Sequence, residues 1–324
     1  MKKFILALTA AMAFSLLSAQ PSFAAGNEVW LRAGGAGQNS WSYSCMVAVA
    51  ESIKKSDPGL EIVIQATPGS TTHYGMFDKK SLDVGTGYTP TDYWANNGIP
   101  PVFKQSFAGK FYTIAPMTIS KTHILVRKDS SIKTLSDLNG KTIYAGDQGA
   151  ASTQLALSLI KSLNIQGRIV QTDRSEGFEM LKEGRVDALI QSQGAPYAAI
   201  LELATATDLR FIPFSEAELK KCTDEGPYCF AGAILPTEYS FVTEPIPTLT
   251  QVQNINVRAT LEDETVYRLT KAIVEAWPMV VNTVAAAGRV DPMKDVTKTV
   301  VKIHPGAIRY YEEKGVTIPA ELRP

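Results

Sequence analysis

Short apolar runs alternate with segments of helical periodicity along most of this chain. The first run, 29–33, predicts a strand, and apolar side chains then repeat at helical spacing from Trp41 to Ile53 until Asp57-Pro58-Gly59 ends the helix. Further strands are predicted at 61–66, 82–86, 123–127, 142–145, 168–171, 187–191, 209–212 and 254–259. Further helices are predicted around Met76 and over 90–97, 155–163, 175–183, 194–203, 264–281 and 304–314. This alternation indicates an α/β fold in which helices pack on a parallel sheet.

The alternation falls into two blocks of roughly a hundred residues each, which indicates two α/β lobes. An irregular segment rich in Pro, Gly and Tyr, 213–247, follows the second block, and the helical end of the chain is expected to pack back on the first. We therefore predict a first lobe formed by 25–122 and 250–324 and a second lobe formed by 123–249. The chain would cross between the lobes twice, and these crossings would form a hinge.

The composition is that of a globular protein, since 45% of the 324 residues are apolar and 20% are charged. A chain of this length has enough core to fold without metals or disulfides. The 32 basic and 32 acidic residues balance, which argues against a nucleic-acid partner because such a partner requires a basic face.

The first 24 residues have the pattern of a secretory signal peptide. Lys2 and Lys3 precede an apolar run from Phe4 to Leu17, and the small residues of Ser22-Phe23-Ala24 follow. The apolar run is shorter than the ~20 residues that a membrane span needs. We predict cleavage after Ala24 and export, which in a bacterium with two membranes means a periplasmic protein.

The three cysteines have different predicted roles. Cys45 lies in an apolar run and is expected to be a small buried hydrophobe. Cys222 and Cys229 flank a Gly-Pro turn, and in an oxidising compartment they could close a small loop by forming a disulfide. Two free thiols are the alternative.

Four loops join a predicted strand to the start of a predicted helix. They are Gly34 to Asn39, Gly69-Ser70, Gly149 to Ser152 and Gly194-Ala195-Pro196. Glycine lets backbone N–H groups approach a ligand, and helix N-termini favour negative charge. Each loop alone could be an ordinary turn with a helix cap. Because two loops come from each predicted lobe, together they predict a site for a small anionic molecule between the lobes.

The candidate ligand contacts are the hydroxyl, amide and backbone donors of these loops and of the strand ends beside them. They are Gly37, Asn39, Ser42, Tyr43, Gly69, Ser70, Tyr88, Gln148, Gly149, Ser152, Gln193 and Gly194. Arg174, which follows the strand at 168–171, is a possible bidentate partner for a carboxylate. Solvation at the surface is the alternative for that arginine, and we favour it.

Other chemistries find little support in the sequence. Gly34-Gly35-Ala36-Gly37 departs from the dinucleotide-binding pattern, and no Gly-Lys-Ser/Thr ending of a phosphate-binding loop is present. The sequence has no Cys-x-x-Cys motif, and its three histidines are not paired at metal-binding spacing. We therefore expect no metal, no cofactor and no catalytic residue. His304 precedes Pro305 and is expected to cap the last helix.

Several segments resemble the TAXI-type solute receptors of tripartite ATP-independent periplasmic (TRAP) transporters, in order along the mature chain. The similar segments are Gly34-Gly35-Ala36-Gly37 with Trp41-Ser42-Tyr43, Thr67-Pro68-Gly69-Ser70, 129–141, Asp187-Ala188 with Gly194-Ala195-Pro196, and 304–315. The last of these is the most specific. The resemblance implies a two-lobed type II periplasmic binding protein that delivers a small solute to the membrane permease subunits of a TRAP transporter.

The chain departs from the family pattern in three segments that are expected to contact the ligand. These are Gly149-Ala150-Ala151-Ser152-Thr153, Gln38-Asn39-Ser40 and Gly85-Thr86-Gly87-Tyr88. The resemblance therefore does not specify the ligand as a glutamate-like acid.

Two other functions fit the same predicted fold. One is the receptor of an ATP-driven importer or of a sensor. The other is an exported small-acid lyase, for which Asp92 or Glu176 would have to supply the general acid or base.

Overall fold

The computed structural model describes residues 28–38 and 40–324. The predicted signal peptide and Asn39 lie outside these residues. The described strands are β1 (Val29–Gly34), β2 (Leu60–Gln65), β3 (Val84–Tyr88), β4 (Phe111–Arg127), β5 (Thr142–Tyr144), β6 (Arg168–Val170), β7 (Ala188–Gly194), β8 (Leu209–Phe211), β9 (Phe230–Ile234) and β10 (Ile246–Arg258). The described helices are α1 (Trp41–Ser56), α2 (His73–Asp78), α3 (Thr89–Asn97), α4 (Ala151–Ser162), α5 (Arg174–Lys182), α6 (Ala198–Ala206), α7 (Glu216–Asp224), α8 (Asp263–Glu275), α9 (Trp277–Thr283), α10 (Pro292–Asp295) and α11 (Pro305–Glu313).

The strands form one mixed sheet in the order β2-β1-β3-β10-β4-β7-β5-β6, with β9 paired to β10 and β8 to β4. The three strands at each end of this order, β2-β1-β3 and β7-β5-β6, run parallel to one another. The central pairs β3–β10, β10–β4 and β4–β7 are antiparallel. The prediction of a parallel sheet is therefore correct at the two ends and wrong at the centre. β10 returns from the late part of the chain and reverses the direction there.

The two central strands are longer than the sequence predicted. β4 begins at Phe111 rather than at 123, and β10 begins at Ile246 rather than at 254. Buried polar side chains such as Thr118 and Gln251 interrupt the apolar pattern that a buried strand normally shows. Because β4 and β10 pair with each other along most of their length, they connect the two parallel parts of the sheet.

Two other segments differ from their prediction. The segment 213–247, expected to be irregular, contains α7 and β9. Ser215 and Glu218 form a capping box at the start of α7. The helix predicted at 264–281 is divided into α8 and α9, with Pro278 in the first turn of α9. Proline is tolerated at a helix start but not inside a helix, because it has no backbone N–H.

The helical end of the chain packs on the first block of elements. Val266 and Leu269 of α8 lie in one buried cluster with Cys45 and Val49 of α1. His304 caps α11, because its Nδ1 accepts a hydrogen bond from the Gly306 amide at 3.2 Å. The described residues include no helix that is both long enough and apolar enough to cross a membrane.

The structure contains Cys222 and Cys229 as free thiols, so the possible disulfide between them is not formed in it. Both residues are buried. Desolvation raises the pKa of Cys222 to about 11 and that of Cys229 to about 12. Because the thiolate is the species that reacts, burial opposes oxidation of this pair.

Candidate functional site

Two of the four predicted loops touch each other across the sheet. The Thr71 hydroxyl donates a hydrogen bond to the Gly149 carbonyl at 2.5 Å. A Cβ atom on Gly69 would lie only 2.2 Å from that same carbonyl oxygen, so the close approach requires glycine at this position. Gly149 itself has a φ of 78°, which also favours glycine. The loop before α2 and the loop before α4 therefore face each other, as a site shared between two halves of the chain requires.

Buried hydrogen bonds fix the loop before α2. His73 Nε2 lies 2.8 Å from the Thr67 hydroxyl, and His73 Nδ1 lies 3.0 Å from the Thr86 carbonyl oxygen. Desolvation lowers the pKa of His73 to about 4, so the ring is neutral near pH 7. This histidine ties the loop to the end of β3.

The loop before α4 is held through Asp147. The Tyr144 hydroxyl donates a hydrogen bond to Asp147 Oδ1 at 3.0 Å, and the Thr153 hydroxyl donates one to the Asp147 carbonyl at 2.7 Å. The second carboxylate oxygen of Asp147 lies 3.1 Å from Nη2 of Arg174. Strand β5, helix α4 and helix α5 therefore all contribute to the position of this loop.

Arg174 is a buried residue, and the solvated surface position that we favoured for it is wrong. It is only 9% exposed. It begins α5, where the Asp173 side chain caps the helix by accepting a hydrogen bond from the Ser175 amide at 2.9 Å.

Desolvation raises the pKa of Tyr197, and the adjacent Arg174 guanidinium lowers it. Desolvation likewise raises the pKa of Tyr88 to about 12, with the Ser120 hydroxyl and the Arg174 charge acting in the opposite direction. The guanidinium thus lies among tyrosines that belong to both halves of the chain.

A row of buried polar side chains crosses the central strands next to this arginine. The Tyr88 hydroxyl lies 3.5 Å from the Ser192 carbonyl oxygen, and the Ser192 hydroxyl lies 3.0 Å from that of Thr122. Gln251 Nε2 donates a hydrogen bond to the Thr122 hydroxyl at 3.1 Å. The row therefore joins the end of β3 to β7, β4 and β10.

Two glutamines in this region keep an acceptor atom unused. Gln253 Nε2 donates a hydrogen bond to the Ser42 hydroxyl, so this predicted contact residue is engaged from β10. The Oε1 atoms of Gln251 and Gln253 are buried and have no hydrogen-bond partner within the part of the chain that the structure describes. An unsatisfied buried acceptor is costly, so an ordered water would stabilise both atoms.

A cavity of about 450 Å³ opens beside Arg174. Its lining comes from the start of α1, from α5 and α6, and from the segment after α9. The lining residues are Ser40, Trp41, Ser44, Arg174, Ser175, Phe178, Pro196, Tyr197, Ala198, Ala199, Glu202, Thr283, Val284 and Ala285. This volume lies within the ~300–1,000 Å³ that small-molecule sites occupy.

The structure brings some of the predicted contact residues together and separates others. Ser42, Gly69, Tyr88 and Gly149 lie at the contacts described above. Three further predicted residues lie close to these contacts. Ser70 is buried just after Gly69, and Ser152 is buried in the first turn of α4. Gly194 pairs with Ser120 and packs against Ala286. Ligand contact by these seven residues stays a prediction.

The remaining predicted residues have other surroundings. Gln148 and Gly37 are exposed, and the Gly37 carbonyl accepts a hydrogen bond from the Ser40 amide at 2.8 Å. The Tyr43 amide is bound by the Ser40 side chain, which caps α1. Gln193 is buried in β7 opposite Lys121. Asn39 is outside the described residues.

The contact residues predicted from the sequence do not include Asp147, Tyr197, Gln251 and Gln253. Asp147 and Tyr197 lie one or two residues outside the segments that were singled out. Polar side chains at alternating positions of a strand flanked by apolar residues, as at Gln251 and Gln253, are a signal that could have been used.

The two carboxylates considered for catalysis do not line the cavity. Asp92 is completely buried and accepts hydrogen bonds from Tyr74, Asn254 and Asn256. Desolvation raises its pKa to about 6. Glu176 is exposed and bonds to Thr172. Across residues 28–38 and 40–324, no group of three His, Cys, Asp or Glu side chains could hold a metal ion.

Comparisons with known proteins agree with this architecture. The model of the NMT1-like family matches residues 33–315. The structure of MatC from Rhodopseudomonas palustris with bound malate is 15% identical and has a TM-score of 0.58, covering 88% of this chain and 96% of that one. A structure reported for glutathione import via GshT and the cystine ABC importer TcyBC of Streptococcus mutans is 12% identical, with a TM-score of 0.50 and coverage of 79% and 95%. The predicted two-lobed type II periplasmic binding fold is confirmed.

Proposed function

The chain belongs to the NMT1-like family and has a type II periplasmic binding fold, and from this premise we propose that it is an exported receptor that holds a small solute between two lobes. The proposed lobes are 25–122 with 250–324, and 123–249. The contact between Thr71 and Gly149 joins a loop of each. The proposed location is the periplasm, after removal of a signal peptide at Ala24.

We propose that the solute is a small anion, such as a carboxylate or an amino-acid-like molecule. The observation that carries this proposal is the buried Arg174 guanidinium at the wall of the cavity. Arginine binds carboxylates through paired N–H groups, and such hydrogen bonds are stronger where water is excluded. Of the other groups proposed to contact the ligand, Tyr197 lines the same cavity, whereas Tyr88 and the backbone amides near Gly69 and Gly149 lie outside its lining.

Strands β4 and β10 are the proposed hinge. They are the central strands of the sheet and pair with elements of both proposed lobes. A small rotation about them would separate the two loops and widen the cavity, which is already open at the exposed edge formed by Ser175 and Glu202. Closure around a solute would expel water and strengthen every hydrogen bond to it.

Isothermal titration calorimetry with organic acids, amino acids and neutral sugars tests the class of solute. We expect one-to-one binding of carboxylates and a loss of at least tenfold in affinity for Arg174→Gln. Arg309→Gln removes an exposed guanidinium that pairs with Glu264 and serves as the control. Binding of neutral sugars alone would contradict the proposal.

The proposed partner is the pair of membrane subunits of a TRAP transporter, on the evidence of the sequence motifs alone. A receptor for an ATP-driven importer would have the same fold. Uptake into vesicles that contain the candidate permease separates the two. An ion gradient without ATP should support uptake if the partner is a TRAP permease, and a strict requirement for ATP would contradict it.

We propose that the protein binds its solute without changing it. The buried hydrogen bonds of Asp92 and the exposed position of Glu176 support this. A ligand recovered chemically unchanged after long incubation is the expected result. Conversion of the ligand would instead support an exported lyase.

A further inference from the structure

We infer that Asp147 makes the cavity selective for singly charged anions over dianions. This inference rests on the proposed function, because it concerns the charge of the ligand that Arg174 would bind. The Asp147 carboxylate lies 3.1 Å from the Arg174 guanidinium and also accepts a hydrogen bond from Tyr144. The cation that would attract a ligand is thus already paired with an anion of the protein.

The charges around the cavity support this inference. Arg174 and Glu202 are the charged side chains among the described residues that line it. Arg174 is therefore the one cation at its wall within the described part of the chain. Its charge is matched by Asp147, and Glu202 adds a second negative charge at the exposed edge.

Two other cations lie nearby but are engaged elsewhere. Lys121 Nζ lies 2.7 and 2.8 Å from the two carboxylate oxygens of Glu238, and it also donates to the Ala233 carbonyl. Arg289 lies 3.5 Å from Glu238 and donates to the Ala195 carbonyl at 3.2 Å. Neither residue lines the cavity, so both act on a ligand only at longer range.

The energetic consequence depends on the charge of the ligand. A monoanion gains from Arg174 and loses part of this gain to Asp147. A dianion must also bury a second negative charge for which the cavity wall supplies no second cation. Because the Coulomb energy is proportional to the ligand charge, the attraction to Arg174 and the repulsion from Asp147 both double for a dianion, so the partial cancellation by Asp147 leaves little net attraction to offset the second charge. Loss of the hydration of the second charge adds to this cost.

Succinate, its half amide succinamate and its diamide succinamide test the inference, because they differ in charge and hardly in shape. In calorimetry at constant ionic strength and pH 7.5, we expect the wild-type chain to bind succinamate at least about fivefold more tightly than succinate. This measurement needs no variant. Equal affinities, or tighter binding of succinate, would overturn the inference.

Asp147→Asn provides the second measurement. The amide can still accept a hydrogen bond from Arg174 and can donate one to the Tyr144 hydroxyl, which in turn lies 3.3 Å from the Thr172 carbonyl as an alternative acceptor. We expect the variant to bind succinamate about fivefold and succinate about twenty-five-fold more tightly than the wild type, with any affinity for succinamide unchanged. Glu176→Gln is the matched control, since it removes an exposed charge from α5 without touching Arg174.

The possible failures can be told apart. A loss of affinity for both anions in Asp147→Asn would mean that Asp147 only orients Arg174, and would overturn the inference while leaving the anion site intact. An equal gain for both anions would overturn it as well. If the wild-type chain bound none of the carboxylates tested in the calorimetry, the proposed function itself would be contradicted.

Discussion

At the residue scale, Gly69 and Gly149 determine how closely the two loops of the candidate site approach each other. Gly69 has no room for a side chain, and Gly149 has a left-handed backbone. Both are predicted from the sequence as possible ligand contacts because glycine exposes backbone amides. Their contact with each other has no signal in the sequence, since the two residues are far apart in the chain. Their contact depends on how the whole sheet folds.

Gly69→Ala should weaken ligand binding with little loss of stability. The new Cβ atom would overlap the Gly149 carbonyl, so the two loops must move apart, and we expect at least a tenfold loss of affinity in calorimetry. Gly75→Ala is the control, because a Cβ atom on Gly75 of α2 meets no neighbouring atom within 4 Å. Unchanged affinity in Gly69→Ala would show that the loops need not be in contact.

His73 should make the protein less stable in acid. Its pKa is about 4 in the folded chain and 6.5 when exposed, so the unfolded chain binds a proton that the folded chain does not. The stability that comes from the neutral ring is present above pH 6.5 and is lost as the pH falls toward 4. Folding raises the pKa of Asp92 to about 6, so protonation of Asp92 makes the folded chain more stable as the pH falls through part of this range. The contribution of His73 must therefore be measured against a variant that lacks it.

The comparison is between the wild type and His73→Gln in urea unfolding at several pH values. Between pH 6.5 and 4, the unfolding free energy of the wild type should fall more steeply than that of the variant, by up to about 1.4 kcal/mol per pH unit. Identical slopes would mean that folding does not lower the pKa of His73.

At the element scale, the sequence predicted the elements with a regular apolar period and missed those without it. Helix α1 and the strands at the ends of the sheet are close to their predicted positions. The first part of β4 was missed because Thr113, Thr118 and Ser120 are buried in it. Thr118 and Ser120 lie near the candidate site, since Thr118 donates a hydrogen bond to the Ala286 carbonyl and Ser120 pairs with Gly194. The buried polar residues that interrupt the apolar pattern of the strand therefore also supply hydrogen-bonding groups near the site.

Ser215→Ala should lower stability without changing ligand binding. The Ser215 hydroxyl accepts a hydrogen bond from the Glu218 amide at 3.3 Å, and the Glu218 carboxylate accepts one from the Ser215 amide at 2.7 Å. Loss of such a cap costs about 1 kcal/mol. Thermal unfolding should detect this loss, and Ser215→Thr should retain most of the stability. A tenfold loss of affinity in Ser215→Ala would show that α7 is coupled to the cavity.

At the scale of the whole molecule, contacts between distant segments hold the two halves together. Glu238, which follows β9, is buried and binds both Lys121 of β4 and Arg289 near the end of the chain. Arg289 also donates a hydrogen bond to the Ala195 carbonyl, and Ala286 packs against Gly194 at the end of β7. None of these long-range contacts could be predicted from a single sequence, because the local pattern does not specify which distant residues meet.

Arg289→Gln should shift the unliganded protein toward an open form. It removes an ionic contact between the proposed lobes and leaves the pairing of Lys121 with Glu238 intact. We expect a larger radius of gyration by small-angle X-ray scattering and a loss of affinity of about two- to fivefold, because a smaller fraction of the chain is ready to bind and the apparent affinity falls in proportion to that fraction. Arg309→Gln removes a contact within one proposed lobe and should change neither quantity. A more compact Arg289→Gln would contradict this account of the contact.

Native mass spectrometry of the protein, purified under mild conditions and incubated with a mixture of small acids and neutral solutes, tests the central claim most directly. The account predicts one bound organic anion per wild-type chain and none in Arg174→Gln at the same concentration. A neutral solute in the wild type, or equal occupancy by the anion in both proteins, would contradict the claim that Arg174 holds the ligand.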